Sequence, residues 1–129
     1  MTVMAHAQMP LTQLLGLEIE SGAPNGVVAT GQWKPEHCTA GGVLHGGYLM
    51  TLADSVGALC AFLNLPEGST TSTVESKTNF IRAVTSGTVT FTATPIHVGR
   101  SLILVQTDAT RDDGKLVART SQTQTISST

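Results

Sequence analysis

The sequence predicts an α+β domain, an antiparallel sheet of five or six strands wrapped around one long buried helix. Three observations predict it. Residues 44–62, LHGGYLMTLADSVGALCAF, form an apolar run of helical length whose only formal charge is Asp54. Everything after that run reads as sheet, with Val89, Phe91 and Ala93 alternating against Thr90, Thr92 and Thr94. Turn signals separate these stretches, among them Pro66-Glu67-Gly68 and Arg111-Asp112-Asp113-Gly114-Lys115. One helical segment followed by a run of strands is the α+β pattern. A chain of 129 residues has room for a single core, so residues 1–129 are expected to form one domain.

Residues 1–10 read as a mobile tail ending at Pro10. Leu11, Leu14 and Leu15 recur at helical spacing and predict a short helix to about Gly16. Leu17–Ser21 and Gly26–Trp33 read as strands around the turn Ala23-Pro24-Asn25-Gly26. Lys34–Gly42, rich in Pro, Thr and Gly, is a loop leading to His45. The central helix runs from Gly47 to about Leu63, where Pro66-Glu67-Gly68 ends it. Its apolar residues leave almost no polar face, which marks a helix enclosed by protein or lying in a membrane. A membrane span needs about 20 residues without a central charge. Asp54, the interrupting glycines and Pro66 favour burial in protein. Strands follow at Thr70–Ile81, Thr88–Ile96, Ser101–Thr110 and Leu116–Ile126. Pro95 lacks an N–H and should mark an edge or a bulge.

Net charge is -2 and only 12% of residues are charged, against about 25% in a typical globular chain. Nucleic-acid binding wants a basic footprint and is excluded. So sparse a charge agrees with a surface partly covered by another subunit. Cys38 and Cys60 have no metal-type spacing and read as reduced thiols of a cytoplasmic protein. MTVMAHAQMP has neither a basic start nor a continuous apolar core, so it is not read as a signal peptide. His37, Cys38 and His45 lack a fourth ligand at metal spacing, and no metal is expected.

Two features could carry chemistry. A carboxylate inside an apolar helix is costly unless it is paired, protonated or used, which singles out Asp54. Gly46 and Gly47 open the helix, where free N–H groups and the positive dipole end can receive a negative oxygen. The glycines equally suit a tight turn into the helix. His45 beside them is either a hydrogen-bonder that orients the helix start or a substrate contact. Asp54 lies about 10 Å from that helix start at 1.5 Å per residue, so one acid does not serve a carbonyl held at its own helix start.

His45-Gly46-Gly47 with an acid nine residues on resembles the hotdog-fold thioesterases, in particular the PaaI-like branch and the related 4-hydroxybenzoyl-CoA thioesterases. Leu14-Leu15-Gly16-Leu17-Glu18, Lys34-Pro35-Glu36-His37, Thr78-Asn79-Phe80-Ile81-Arg82, Val98-Gly99-Arg100-Ser101-Leu102 and the segment from Asp112 to Ala118 extend the resemblance over most of the chain. It implies an acyl-CoA thioesterase, converting acyl-CoA and water to a carboxylic acid and coenzyme A. Asp54 would be general base or nucleophile, and the N–H groups at Gly46–Gly47 the oxyanion site. It also implies that acid and glycines come from different subunits of a homodimer, or of a homotetramer built as a dimer of dimers.

By the same resemblance Thr73, or its neighbour Ser72, steadies the attacking water. Thr39 stands where relatives often carry an Asn that polarises the thioester carbonyl, and Ala83 where many have Pro. Arg82, Arg100 with Ser101, and Lys115 are candidates for the coenzyme A phosphates, although surface cations also serve solubility. Coenzyme A enters as part of the substrate and no separate cofactor is implied. Tyr48, Met50, Phe62 and Phe80 either line an acyl pocket or fill the core. Aryl and medium-chain acyl groups fit the branch, and carrier-protein thioesters stay open. The hydratase branch of the fold carries a His five residues after its Asp; here that position is Leu59. A catalytically silent acyl-CoA-binding domain is the alternative from another class.

Overall fold

The computed structural model describes residues 1–128. In chain order it contains helices α1 (Thr2–Gln8) and α2 (Pro10–Leu14), strands β1 (Glu18–Ala23) and β2 (Gly26–Gln32), and 3-10 turns at Pro35–His37 and Ala40–Gly42. Helix α3 (Gly46–Phe62) follows, then β3 (Ser69–Thr70), β4 (Thr73–Phe80), β5 (Thr88–Val98), β6 (Leu102–Thr110), β7 (Leu116–Thr125) and β8 (Ser127–Ser128). Six strands form one antiparallel sheet in the order β1-β2-β5-β6-β7-β4, and β3 pairs with β8 apart from it.

The alternation read from the sequence decides which face of the sheet meets α3. Val89, Phe91 and Ala93 of β5 are fully buried, as are Ile103 of β6 and Val117 of β7, while Thr92 and Thr94 face outward. Leu52, Val56 and Cys60 of α3 close the core from the other side. Pro95 sits at a register shift between Pro95 and His97 in a central strand, where a missing N–H does not break the ladder. The stretch read as one strand from Thr70 is divided into β3 and β4.

One expectation is corrected near the N-terminus. The stretch read as a tail, residues 1–10, forms α1 and the start of α2. Hydrogen bonds to β1 and to Leu17 just before it, rather than apolar periodicity, hold it. The Ile19 N–H donates to Thr2 Oγ1 at 2.8 Å, Thr2 Oγ1 donates to the Ile19 carbonyl at 3.2 Å, and His6 Nε2 lies 2.7 Å from the Leu17 carbonyl. Ala5 is the buried residue of α1. In α2, Leu11 and Leu14 are exposed and Thr12 is the residue turned inward.

The long central helix is buried as expected, with ten of its residues enclosed and the sheet packed against it, except along one narrow stripe. Met50 and Phe62 are exposed and Asp54 and Ala58 half-buried, a stripe at four-residue spacing along α3. Beside it runs β4, the last strand of the sheet, with Val74 61% and Phe80 53% exposed. Among the described residues no helix is long and apolar enough to cross a membrane.

Candidate active site

His45 has extended backbone angles and caps α3, its Nδ1 accepting the Gly47 N–H at 2.9 Å. Its carbonyl accepts the Leu49 N–H at 3.2 Å, and its own N–H goes to the His37 carbonyl at 2.9 Å. A helix start leaves its first N–H groups without partners inside the helix. Once Gly47 is capped, the N–H groups of Gly46 and Tyr48 are the ones without a partner among the described residues. His45 therefore acts as the cap, and of the two glycines it is Gly46 that keeps an open donor. A Cβ on Gly46 would lie 3.1 Å from the Phe80 ring, so glycine lets that ring close over the helix start.

A cavity of about 320 Å³ opens at this end, lined by Leu44, Gly46, Leu49, Phe80, Ile81 and Arg82 among others. Arg82 is tethered through Nη1 to the Leu116 carbonyl at 2.9 Å and remains exposed. Thr39 is exposed in the preceding loop, where its N–H bonds the Val43 carbonyl at 2.8 Å. Behind the cavity Tyr48 is buried against His37, with ring centroids 4.4 Å apart. Burial pushes its phenol up to about 12, so it stays a neutral donor, with the Gln32 carbonyl as acceptor at 3.4 Å. Tyr48 is thus a brace beneath the loop and does not line this cavity.

Asp54 lies eight residues along α3, about 12 Å at 1.5 Å per residue. Its Oδ1 accepts Gln122 Nε2 at 3.1 Å and lies 3.4 Å from Thr73 Oγ1, while Oδ2 has no hydrogen-bond partner among the described residues. The support extends deeper. Gln122 Nε2 also donates to Gln124 Oε1 at 2.9 Å, Thr73 Oγ1 makes a short bond to the same oxygen, and Gln124 Nε2 reaches Thr71 Oγ1 at 3.1 Å. Thr73, rather than Ser72, is the hydroxyl that meets the acid. Gln122 and Gln124 are 2% and 1% exposed. Reading the sequence residue by residue missed them, because glutamine in a strand suggests the solvent face. Their parity was the available signal: both share the side of β7 that carries the buried Ala118 and Thr120.

A second cavity, about 510 Å³, lies between α1 and the far half of α3. Met4, Met9, Ala58, Leu59, Phe62 and Thr71 contribute to its wall, and Ala58 is one helical turn beyond Asp54. The expected site residues thus fall into two groups. Gly46, Phe80 and Arg82 gather at the start of α3, and Asp54, Thr73 and Phe62 along its second half. Arg100 and Ser101 lie on the exposed β5–β6 turn and line neither cavity. One group offers amide donors for a developing oxyanion. The other offers a carboxylate with one oxygen fixed and one open, suited to taking a proton or attacking a carbonyl.

Residues 41–118, more than half of the chain, match the Thioesterase superfamily. A putative esterase of Haemophilus influenzae is 37% identical over 102 residues, covering 79% of this chain and 74% of that protein. Among solved structures, a thioesterase from Haemophilus influenzae is similar with TM-score 0.86 at 34% identity, over 90% of this chain and 81% of that one. A mutant of the phenylacetic acid degradation protein PaaI from Thermus thermophilus is similar with TM-score 0.83 at 27% identity, over 90% and 97% of the two chains. The chain belongs to the Thioesterase superfamily, and its sheet and central helix have the hotdog fold.

Proposed function

We propose that the protein is an acyl-CoA thioesterase whose reaction centre is completed by a second copy of the chain. The observation that carries this reading is the separation of the two groups along α3. The amide donor at Gly46 and the open Oδ2 of Asp54 are too far apart on one helix to act on one carbonyl, yet each lies beside an uncovered surface. An antiparallel copy placed against the Met50–Phe62 stripe and the β4 edge would bring Asp54 of one protomer to Gly46 of the partner subunit. Phe80 lies at the Gly46 end of β4 and Thr73 at the Asp54 end, so the two-fold axis of such a pair would pass near Ser76. That register sets Glu75 opposite the partner subunit's Lys77, an attractive cross-strand pair. Unpaired strand edges favour this kind of addition.

In the assembled site the thioester carbonyl oxygen rests on the Gly46 N–H. Asp54 Oδ2 takes a proton from water as the water oxygen attacks the carbonyl carbon, and the tetrahedral oxyanion forms against that amide. The C–S bond then breaks and the coenzyme A sulfur leaves, receiving the proton. Direct attack by Asp54 through a mixed anhydride uses the same atoms, with water cleaving the anhydride afterwards. Reaction in labelled water separates the two, since label enters the Asp54 carboxylate only by the anhydride route. The apolar cavity beside Ala58 and Phe62 suits a medium-chain or aryl acyl group, within the usual range of about 300–1,000 Å³ for ligand sites. Arg82 at the mouth of the other cavity would meet the coenzyme A phosphates, and no separate cofactor takes part. Two free cysteines, Cys38 and Cys60, fit a cytoplasmic protein.

The test is a thiol-release assay with aliphatic and aryl acyl-CoAs, run on wild type and Asp54→Ala together. Turnover by wild type that the variant loses supports the reading. Binding of every thioester without turnover would leave an acyl-CoA-binding domain in its place.

A further inference from the structure

The Gln122 amide is held in one orientation. Its Nε2 faces three acceptors, Gln124 Oε1 at 2.9 Å, Asp54 Oδ1 at 3.1 Å and the Asp54 carbonyl at 3.4 Å. Turning the amide over would set oxygen against oxygen at all three contacts, and neither a carboxylate nor a backbone carbonyl has a proton to donate. The chosen orientation has a cost at its other end, where Gln122 Oε1 is buried without a hydrogen-bond partner. Buried polar atoms are rarely left so, and each instance calls for an explanation. That oxygen lies over Gly57, in the middle of α3. A Cβ built on Gly57 would overlap the amide, with Gln122 Cδ at 2.7 Å. Glycine in a helix interior is itself unfavourable relative to alanine. Two locally unfavourable choices, an unpaired oxygen and a mid-helix glycine, meet at one contact and serve the same hydrogen bond.

The geometry points to Gln122 as a positioning residue for Asp54, with Gly57 supplying the space that lets its amide reach the carboxylate. Resting on the proposed role of Asp54, it adds how that group is aimed. Nε2 holds Oδ1 toward β7, so Oδ2 is the oxygen presented along the open stripe of α3 to water or thioester. The amide is buried beneath the helix and touches no substrate. It acts through Asp54, whose carboxylate and backbone carbonyl it both meets, and its loss should therefore lower kcat and leave KM in place.

Three variants test this. Gln122→Met keeps an unbranched chain of similar length and removes the donor, and its kcat should fall about 10–100-fold, the scale of a misplaced reacting group, with KM within about twofold. Gly57→Ala gains helix propensity but overpacks a buried contact, so its melting temperature should fall modestly while the protein stays folded, and it should show the same fall in kcat because its methyl displaces the amide. In a Gln122→Ala background Gly57→Ala should cost nothing further, since the group it displaces is gone. Thr107→Val is the control. Its hydroxyl lies beside the same contact without a partner, and removing it should leave kcat unchanged. Wild-type kcat in a folded Gly57→Ala, or additive losses in the double variant, overturns the proposal. Should Gln122→Met fail to fold, Gly57→Ala decides alone. Asp54→Asn measured beside them keeps the two readings apart. Full activity there removes the acid from the mechanism, whereas loss there with intact Gln122 and Gly57 variants removes only the aiming role.

Discussion

The two halves of α3 differ in what they offer and in what they lack. Its first turn carries open amide donors at Gly46 and Tyr48, a cavity with Phe80 and Arg82, and no carboxylate. Its second half carries Asp54, an amide network reaching Thr71, and a larger apolar cavity, with no free backbone donor, because a helix interior spends its N–H groups on its own carbonyls. Backbone donors exist only at helix ends, while a side-chain acid can stand anywhere along the helix. A helix that must supply both to one reaction has to meet a second helix. The uncovered stripe from Met50 to Phe62 lies where such a neighbour would pack.

The largest effect should come from the acid end. Asp54→Asn keeps the shape, retains a folded protein by circular dichroism, and should lower kcat about 10²–10⁴-fold in a thiol-release assay. Next comes the donor end. Gly46 is the first residue of α3, a position that tolerates proline, and the extended backbone of His45 suits a following proline. Gly46→Pro therefore deletes one N–H with the helix kept; in a Phe80→Ala background, which removes the ring that the added Cβ would meet at 3.1 Å, about 10²–10³ in rate should go with it. An unchanged rate in that variant would move the oxyanion elsewhere. Each variant is inactive for a different reason, so co-refolding the two should return part of the activity, because mixed pairs rebuild one complete centre. Failure of mixed pairs to recover any turnover would place acid and donor in the same chain.

Smaller effects probe the edge and the covered face. Lys77→Glu sets like charges opposite one another in the proposed pair and should weaken association by about 0.2–1 kcal/mol at each contact, visible as earlier dissociation on dilution in sedimentation. Reversing Glu75 as well should restore it. On the covered side of α3, burial pushes the Cys60 thiol up to about 11, so the unreactive neutral form dominates below that pH. Iodoacetamide at about pH 8, below the ordinary thiol range, should modify Cys38 and spare Cys60 in the folded protein, as peptide mapping would read.

The central helix and the strands after it were legible because an apolar run and a period of two survive any packing detail. Part of the site was legible for a similar reason, since an acid in an apolar helix and paired glycines at its start stand out in any context. Other parts depend on contacts that no local pattern encodes. Helix α1 is held by Thr2 bonding the backbone of Ile19 in β1 and His6 that of Leu17 just before it, so nothing periodic announced it. Which glycine keeps a free N–H depends on where the His45 ring turns. The inward glutamines of β7 were hidden by composition and exposed only by parity with Ala118. Arg100 and Ser101 show the opposite case, where a motif-like stretch sits on a turn that lines neither cavity.

The alternating charges flanking Ser76 on β4 bear on how two chains align before any chemistry begins. In the proposed pair, moving the axis to Glu75 or to Lys77, a slip of two residues between the strands, brings identical charges face to face across it. Only the middle setting is neutral in sign. In the proposed pair, three consecutive residues would thus select the alignment of the two chains.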